Sequence, residues 1–252
     1  MKRYRKPHSY KRKKSILKNR FFRLIILILI LVSSFCWFLF FSRTFQVKKI
    51  IIIGEEKIAK EEIQKFFPKE NIFLIDLDLI KENILNNFPQ IAEIKVRRSF
   101  PDILSVSITE RKAVAIWCQE GQCFLLDQEG IIFEPVFEKK SDYVTIEDKF
   151  NSKKLGDLAL EKDKLLKILN IDSKLRENLN IPIEKFVISN NEKLTALTKE
   201  GWEIYFNLEG DIEWQITKLV AVLENKIPKE QRGDLEYIEL RFGNFAPFKY
   251  RY

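Results

Sequence analysis

The sequence predicts an α+β protein carried on one membrane-spanning helix, and three observations lead there. Residues 1–23 hold eleven Lys or Arg and no acid, and the next 18 residues, Leu24–Phe41, hold no charge at all. Beyond residue 42, short period-2 runs alternate with short helical repeats, the pattern of a mixed domain. The 252 residues include 46% hydrophobic types and 21 Phe, enough for a core, but only eight Gly and one His. No G-x-G-x-x-G or G-x-x-x-x-G-K-[ST] is present, so phosphate-cradling loops are not expected, and one imidazole leaves little for His-based catalysis or metal binding. We expect no enzyme activity, no cofactor and no metal.

The formal charge of +8 resolves once it is located along the chain. Outside the basic tail, residues 24–252 carry 33 bases against 36 acids. The body is mildly acidic, so nucleic acid is not an expected partner. The run LIILILILVSSFCWFLFF, between Arg23 and Arg43, would reach about 27 Å as a helix, close to the hydrocarbon thickness of a bilayer. It is longer than a typical signal-peptide core, and no A-x-A-like cleavage box follows it. An uncleaved signal anchor at 24–41, in contact with membrane lipid, is therefore expected. The eleven bases before it place the N-terminus in the cytoplasm and the rest outside, in the plasma or inner membrane.

Phe45–Ile53 reads as a strand closed by Gly54. Ala59, Ile63, Phe66 and Phe67 share a helical face that Pro68 ends, and Asp76 can cap a second helix with Leu77, Ile80, Ile84 and Phe88 on one face. Ile94 and Val96, then Leu104, Val106 and Ile108, alternate with polar residues as two strands. The order is β-α-α-β-β. Further on, AVAIWC and QCFLLD flank Gln119-Glu120-Gly121 as a hairpin, and Ile131–Phe133 is another apolar run. Leu158, Leu165 and Leu169 mark a helix between Asp157 and about Asn178. Strands are expected at 183–189, 193–199 and 202–207, then a helix capped by Asp211 and ended by Pro228, then strands near 235–242 and 245–251.

FQVKKIIIIG, NIFLIDLDLI, FPQIAEIKVRRSFPDILSVSITER, AVAIW and LLDQEGIIF resemble the POTRA domain and adjoining strands of the FtsQ/DivIB family of bacterial cell-division proteins. YIELRFGNFAPFKYRY is similar to that family's last strands. The resemblance implies a basic cytoplasmic tail (1–23), a transmembrane helix (24–41), a POTRA domain (45–111) and a β-domain (112–252) with a C-terminal edge strand. It implies a non-enzymatic scaffold of the divisome at the division septum, binding FtsB/FtsL-like bitopic partners and other divisome components by β-augmentation. Carried onto this chain, Arg241 would pair with a partner carboxylate, while Phe242, Asn244, Phe248 and Tyr250 would supply the adjoining contact surface. Pro247 would remove one backbone donor from that edge.

Two other classes share parts of this pattern. A membrane-anchored cell-wall enzyme would need a nucleophile and base outside the membrane. Ser15-Ile-Leu-Lys18 has S-x-x-K spacing but lies in the cytoplasmic tail with His8, without S-D-N or K-T-G. Asp76 and Asp78 are better read as acids at a helix N-terminus than as a catalytic pair. A translocation protein would need several POTRA repeats or a barrel. Cys118 and Cys123 flank the hairpin loop and would face each other in a tight hairpin outside the membrane. A bridge and two buried free thiols both stay open, since bridging depends on strand register as well as redox.

Overall fold

The structure is a computed structural model that describes residues 20–54, 58–137, 143–149, 152–190 and 192–251. The tail features expected before residue 20, with His8 and Ser15–Lys18 among them, lie outside the described residues. The described chain divides into two compact units, one of residues up to Lys81 with Lys95–Ser107, the other of Glu82–Ile94 with Ile108 onwards.

Helix α1 (Arg20–Phe41) carries no charge from Leu24 on, and none of its residues is buried. It is long and apolar enough to cross a membrane. Beyond it, the expected strand from Phe45 begins late. Ser42 accepts from the Thr44 N–H and starts a 3-10 turn over Arg43–Phe45, so β1 covers only Lys49–Ile53. The Val47 N–H donates to the Glu70 carbonyl and the Phe45 carbonyl accepts from the Ile72 N–H, so this stretch bonds to the 70–72 segment and not to the β-ladder.

The first helix expected here shrinks to α2 (Lys60–Gln64), where Ile63 is buried; Phe67 is buried in the turn beyond it, and Ala59 and Phe66 are not part of a helical face. Helix α3 (Leu77–Asn87) starts as expected, with Asp76 Oδ1 accepting from the N–H groups of Asp78 and Leu79. Ile80 and Ile84 on its apolar face are buried. Strand β2 (Ile91–Ser99) and β3 (Ile103–Glu110) follow, with β3 between β1 and β2 and running parallel to β1. The alternating Leu104, Val106 and Ile108 are all buried.

The remaining strands form one nine-stranded mixed sheet. They are β4 (Ala113–Gln119), β5 (Gln122–Asp127), β6 (Ile132–Val136), β7 (Val144–Asp148), β8 (Ile183–Ile188), β9 (Lys193–Thr198), β10 (Glu203–Asn207), β11 (Leu235–Glu239) and β12 (Phe248–Tyr250), in the spatial order β12-β11-β10-β9-β8-β7-β4-β5-β6. The sequence reading missed β7, a five-residue strand held parallel between β4 and β8. The β4–β5 turn needs only Glu120 and Gly121, at φ 48° and 80°, the double left-handed geometry whose twist matches a hairpin.

Two helices supply the β7–β8 and β10–β11 parallel connections and pack on one face of this sheet. Helix α4 (Lys162–Ser173) lies between β7 and β8, and α5 (Ile212–Asn225) between β10 and β11. Leu165, Ile168 and Ile171 from α4 join Ile216, Leu219 and Leu223 from α5 in a core with Trp117, Trp202, Ile204, Phe206 and Ile238. The expected helix from Asp157 therefore starts late. Leu158 is exposed and bridges to Ile131 instead, and the buried stripe of α4 continues through a π-helical turn over Lys174–Asn178 to Leu175. Asp211 caps α5 by accepting from Trp214 N–H, as expected. Ile116, Leu125 and Phe133 form a smaller cluster on the opposite face.

Candidate functional site at the C-terminal sheet edge

Strand β12 ends the nine-stranded sheet. Among the described residues its single neighbour is β11, which runs antiparallel to it with Ile238 opposite Phe248 and Tyr237 opposite Lys249. The Glu239 N–H donates to the Pro247 carbonyl (2.8 Å), and the Arg251 N–H donates to the Asp234 carbonyl (2.7 Å). Residues 247 and 251 thus turn their backbone groups toward β11. Strand alternation turns those of Phe248 and Tyr250 the other way, to the open edge. Pro247 consequently costs the open edge no donor, contrary to the sequence expectation, because its missing N–H falls on the β11 side.

A bulge between Leu235 and Tyr237 shapes the neighbouring strand. Leu235 and Ile238 both enter the core, while Glu236 and Tyr237 serve the opposite face. There Tyr237 stacks on Tyr205 of β10 at 5.3 Å, and Glu236 pairs with Lys249 at 2.6 Å. Tyr205 also lies under Lys193, whose Nζ is 4.3 Å from the ring centroid. Burial pushes the Tyr205 phenol well up, reinforced by Glu203, whose carboxylate accepts a hydrogen bond from the Tyr205 hydroxyl at 2.6 Å.

Arg241 lies just past the end of β11, and its guanidinium is engaged within its own chain. Its Nε and Nη2 donate to the two Glu239 oxygens at 2.9 and 2.6 Å, and its backbone N–H donates to the same carboxylate at 2.9 Å. Glu239 is only 8% exposed. Burial pushes its carboxyl up, but these bonds and the adjacent guanidinium outweigh that and hold it below the ordinary carboxylate value. Period-2 alternation by itself puts Glu239 and Arg241 side by side as outward-facing groups. The structure buries the acid and makes it the first partner of the arginine, so a second carboxylate would join a pre-formed pair.

Phe242 is 61% exposed and lies beneath the Arg241 guanidinium at 5.1 Å. Asn244 is exposed in the following loop, where it lines a cleft of about 290 Å³ with Ala246, Trp214 and Val222. Phe248 and Tyr250 are half-buried against the core. What these two offer outward is chiefly backbone. The structure thus brings Arg241, Phe242, Asn244, Phe248 and Tyr250 into one C-terminal segment. Cys118 and Cys123 lie near the other end of the sheet, directly opposite each other across β4 and β5 and joined by a disulfide, with Cα atoms 4.1 Å apart.

One residue that sequence reasoning overlooked organises this segment. Lys218 of α5 is 7% exposed, and its ammonium donates to the carbonyls of Leu240 (2.6 Å), Gly243 (3.0 Å), Phe242 (3.3 Å) and Phe245 (3.3 Å). Burial pushes its pKa down, partly countered by the Glu239 carboxylate. The cage ties residues 240–245 to the middle of α5 and sets the direction in which Arg241 and Phe242 project. A signal was present in the sequence: Gln215 and Lys218 are polar residues bordering the apolar stripe of α5, and both are buried.

Two family models match the chain. The model for the POTRA domain, FtsQ-type, matches residues 45–111, and that for Cell division protein FtsQ/DivIB, C-terminal, matches residues 115–241, half of the chain. A DivIB cell division protein of Clostridium tetani is 26% identical over 232 residues, which cover 87% of this chain and 85% of that protein. An FtsQ cell division protein of Neisseria gonorrhoeae is 34% identical over 120 residues, 46% of this chain and 48% of that protein. One from Streptomyces bingchenggensis is 27% identical over 110 residues, 42% of either chain. With several relatives, therefore, the match spans less than half of their length. On the C-terminal family match and the fold that carries it, the chain belongs to the FtsQ/DivIB family of cell division proteins.

Proposed function

We propose that this protein is a non-enzymatic, single-pass scaffold of the divisome at the septum. In this reading the tail (1–23) is cytoplasmic, residues 24–41 span the membrane, and a POTRA domain (45–111) and β-domain (112–252) stand outside. The POTRA domain contributes to septal recruitment, and the β-domain captures an FtsB/FtsL-like pair by adding a partner strand to β12. The observation that carries the reading is the outward set of Phe248 and Tyr250 backbone groups on a terminal strand. The Glu239–Arg241 pair and exposed Phe242 stand beside that edge, positioned to select the partner's side chains.

Capture of the FtsB/FtsL-like pair by the full-length protein in detergent tests this. Arg241→Glu sets two carboxylates side by side and repels an incoming acid, so capture should weaken by about 2–5 kcal/mol. Because that change also strains the chain itself, the exchange Glu239→Arg with Arg241→Glu restores the internal pair, and thermal melts report its fold. Undiminished capture by the well-folded exchanged variant and by a variant lacking residues 244–252 would place the interface elsewhere.

A further inference from the structure

The unit that contains α1 carries an aromatic ledge that the edge at β12 does not use. The chain leaves α1 through Trp37, Phe38, Phe40 and Phe41, with Trp37 stacked on Phe41 at 4.2 Å. Ring contacts then continue off the helix. Phe38 meets Phe45 at 5.8 Å, Phe45 and Phe40 meet Phe73 at 5.4 and 6.2 Å, and Phe73 stacks on Phe100 at 5.1 Å. Leu74 and Phe100 are nevertheless 61% and 57% exposed. A contiguous apolar surface of this kind is unfavourable in water and marks a contact.

The ledge is held to the helix by specific bonds. The carbonyls at a helix C-terminus lack intrahelical donors, and buried Asn71 supplies them, its Nδ2 donating to the Leu39 and Phe40 carbonyls at 2.8 and 2.9 Å. Its Oδ1 accepts from the Phe73 N–H at 2.9 Å, so one side chain ties the helix end to the loop that carries Phe73 and Leu74. Arg98 fixes the same loop from the sheet side, donating to the Ile72 and Ile75 carbonyls at 2.7 and 2.6 Å. The backbone of 45–47 is bonded to residues 70–72 as well. Phe73 and Leu74 are thereby held at the level where α1 ends.

We propose that Phe73, Leu74 and Phe100 sit in the lipid interface of the leaflet into which α1 emerges, forming with Trp37–Phe41 one continuous aromatic contact with phospholipid. The occupant is lipid because the ledge is continuous, ring by ring, with the end of the membrane-spanning helix, where aromatic side chains partition into the headgroup boundary. Exposed Arg43 flanks the junction and can extend to lipid phosphates. The ledge would fix the tilt of this unit over the bilayer instead of leaving it to swing on a linker. The inference rests on α1 being the membrane anchor.

Site-specific fluorescence on the full-length protein in vesicles of phosphatidylethanolamine and phosphatidylglycerol tests both levels separately. Wild-type protein labelled with an environment-sensitive dye at Cys36 reports on the anchor, because Cys118 and Cys123 are bonded to each other and do not react. In a Cys36→Ser background, Leu74→Cys and Phe100→Cys report on the ledge, and Ile53→Cys, on an exposed residue further along the chain, gives the solvent reference. Lipids spin-labelled near the headgroup should reduce emission at residues 74 and 100 about twofold, with little change at residue 53. Quenching at Cys36 without quenching at 74 and 100 would overturn the ledge and leave the anchor standing. A blue-shifted but unquenched label at 74 would show a protein occupant and overturn it too. Absence of quenching at Cys36 would remove the anchor and the ledge together.

Discussion

The two edges of the nine-stranded sheet are treated differently, and the contrast points to where this protein can accept another chain. At one end, β6 carries Pro135 within the strand and so lacks a donor there. Its outer side is also covered at Ile132, whose N–H donates to the Asp157 carbonyl at 3.2 Å and whose carbonyl accepts from the Gly156 N–H at 2.7 Å. At the other end, β12 directs the backbone groups of Phe248 and Tyr250 outward, and among the described residues no strand lies beyond it. One edge is protected against pairing in the ways natural sheets commonly are, and the other is kept short, stiff and available. The stiffness comes from Lys218 beneath residues 240–245 and from the Glu239–Arg241 pair. A pre-organised edge loses less entropy on receiving a strand.

The largest effect should come from closing the open edge. Phe248→Pro removes an outward donor without breaking a bond to β11, and capture of the FtsB/FtsL-like pair should fall about tenfold or more in a pull-down. Phe248→Leu, which keeps the N–H, should bind nearly normally. Pro135→Val at the protected edge should leave capture unchanged; a gain or loss there would break the contrast between the edges.

Removing the cage comes next. Lys218→Met keeps the length and apolar stem but leaves four carbonyls without their charged donor, for a destabilisation of about 2–3 kcal/mol. Denaturant melts should show it. Hydrogen exchange should quicken over residues 240–245 and not in β4–β6 if the cage serves the C-terminal edge alone.

Reducing the disulfide should act at the protected end of the sheet. The loop it closes is short, with five residues of separation, so its stabilisation should be about 2 kcal/mol, measured as the loss in chemical stability of a Cys118→Ser, Cys123→Ser variant. Partner capture should be unaffected. Intact mass with and without reductant, on protein from its own envelope, should differ by two hydrogen atoms.

The smallest effect is the acid dependence of Glu239. Its folded-state pKa is depressed relative to the unfolded chain, so its contribution is fully present above the unfolded value of about 4.3 and is lost as pH falls through the folded value. The stability gap between wild type and Glu239→Gln should therefore be flat from neutral pH to about 5 and shrink below about 4. A gap that grew on acidification would show that burial, not Arg241, dominates the site.

Much of this architecture is legible in local chemistry. The uncharged run of 24–41, the caps at Asp76 and Asp211 and the Glu120-Gly121 turn each depend on residues within a few positions of one another. The alternation of Trp202, Ile204 and Phe206 likewise assigns one face of β10 to the core. The misses have a common cause. Strand β7 has five residues and becomes a strand by pairing with β4 and β8, segments more than twenty-five residues away in the chain. The stretch from Asp157 contains spaced leucines, but a competing bridge to Ile131 takes Leu158 out of the helix.

The candidate site divides along the same line. Local sequence determined that Ile238 and Leu240 face inward and that an arginine and aromatic residues follow them, because period-2 alternation assigns faces without reference to the rest of the chain. It could not determine which strand is terminal, since edge status depends on the order of all nine strands. Nor could it show that Pro247 spares the open edge, that Glu239 is the first partner of Arg241, or that Lys218 gathers four carbonyls. Backbone carbonyls are the same at every position in a sequence; only the tertiary fold brings those of residues 240, 242, 243 and 245 around one buried ammonium.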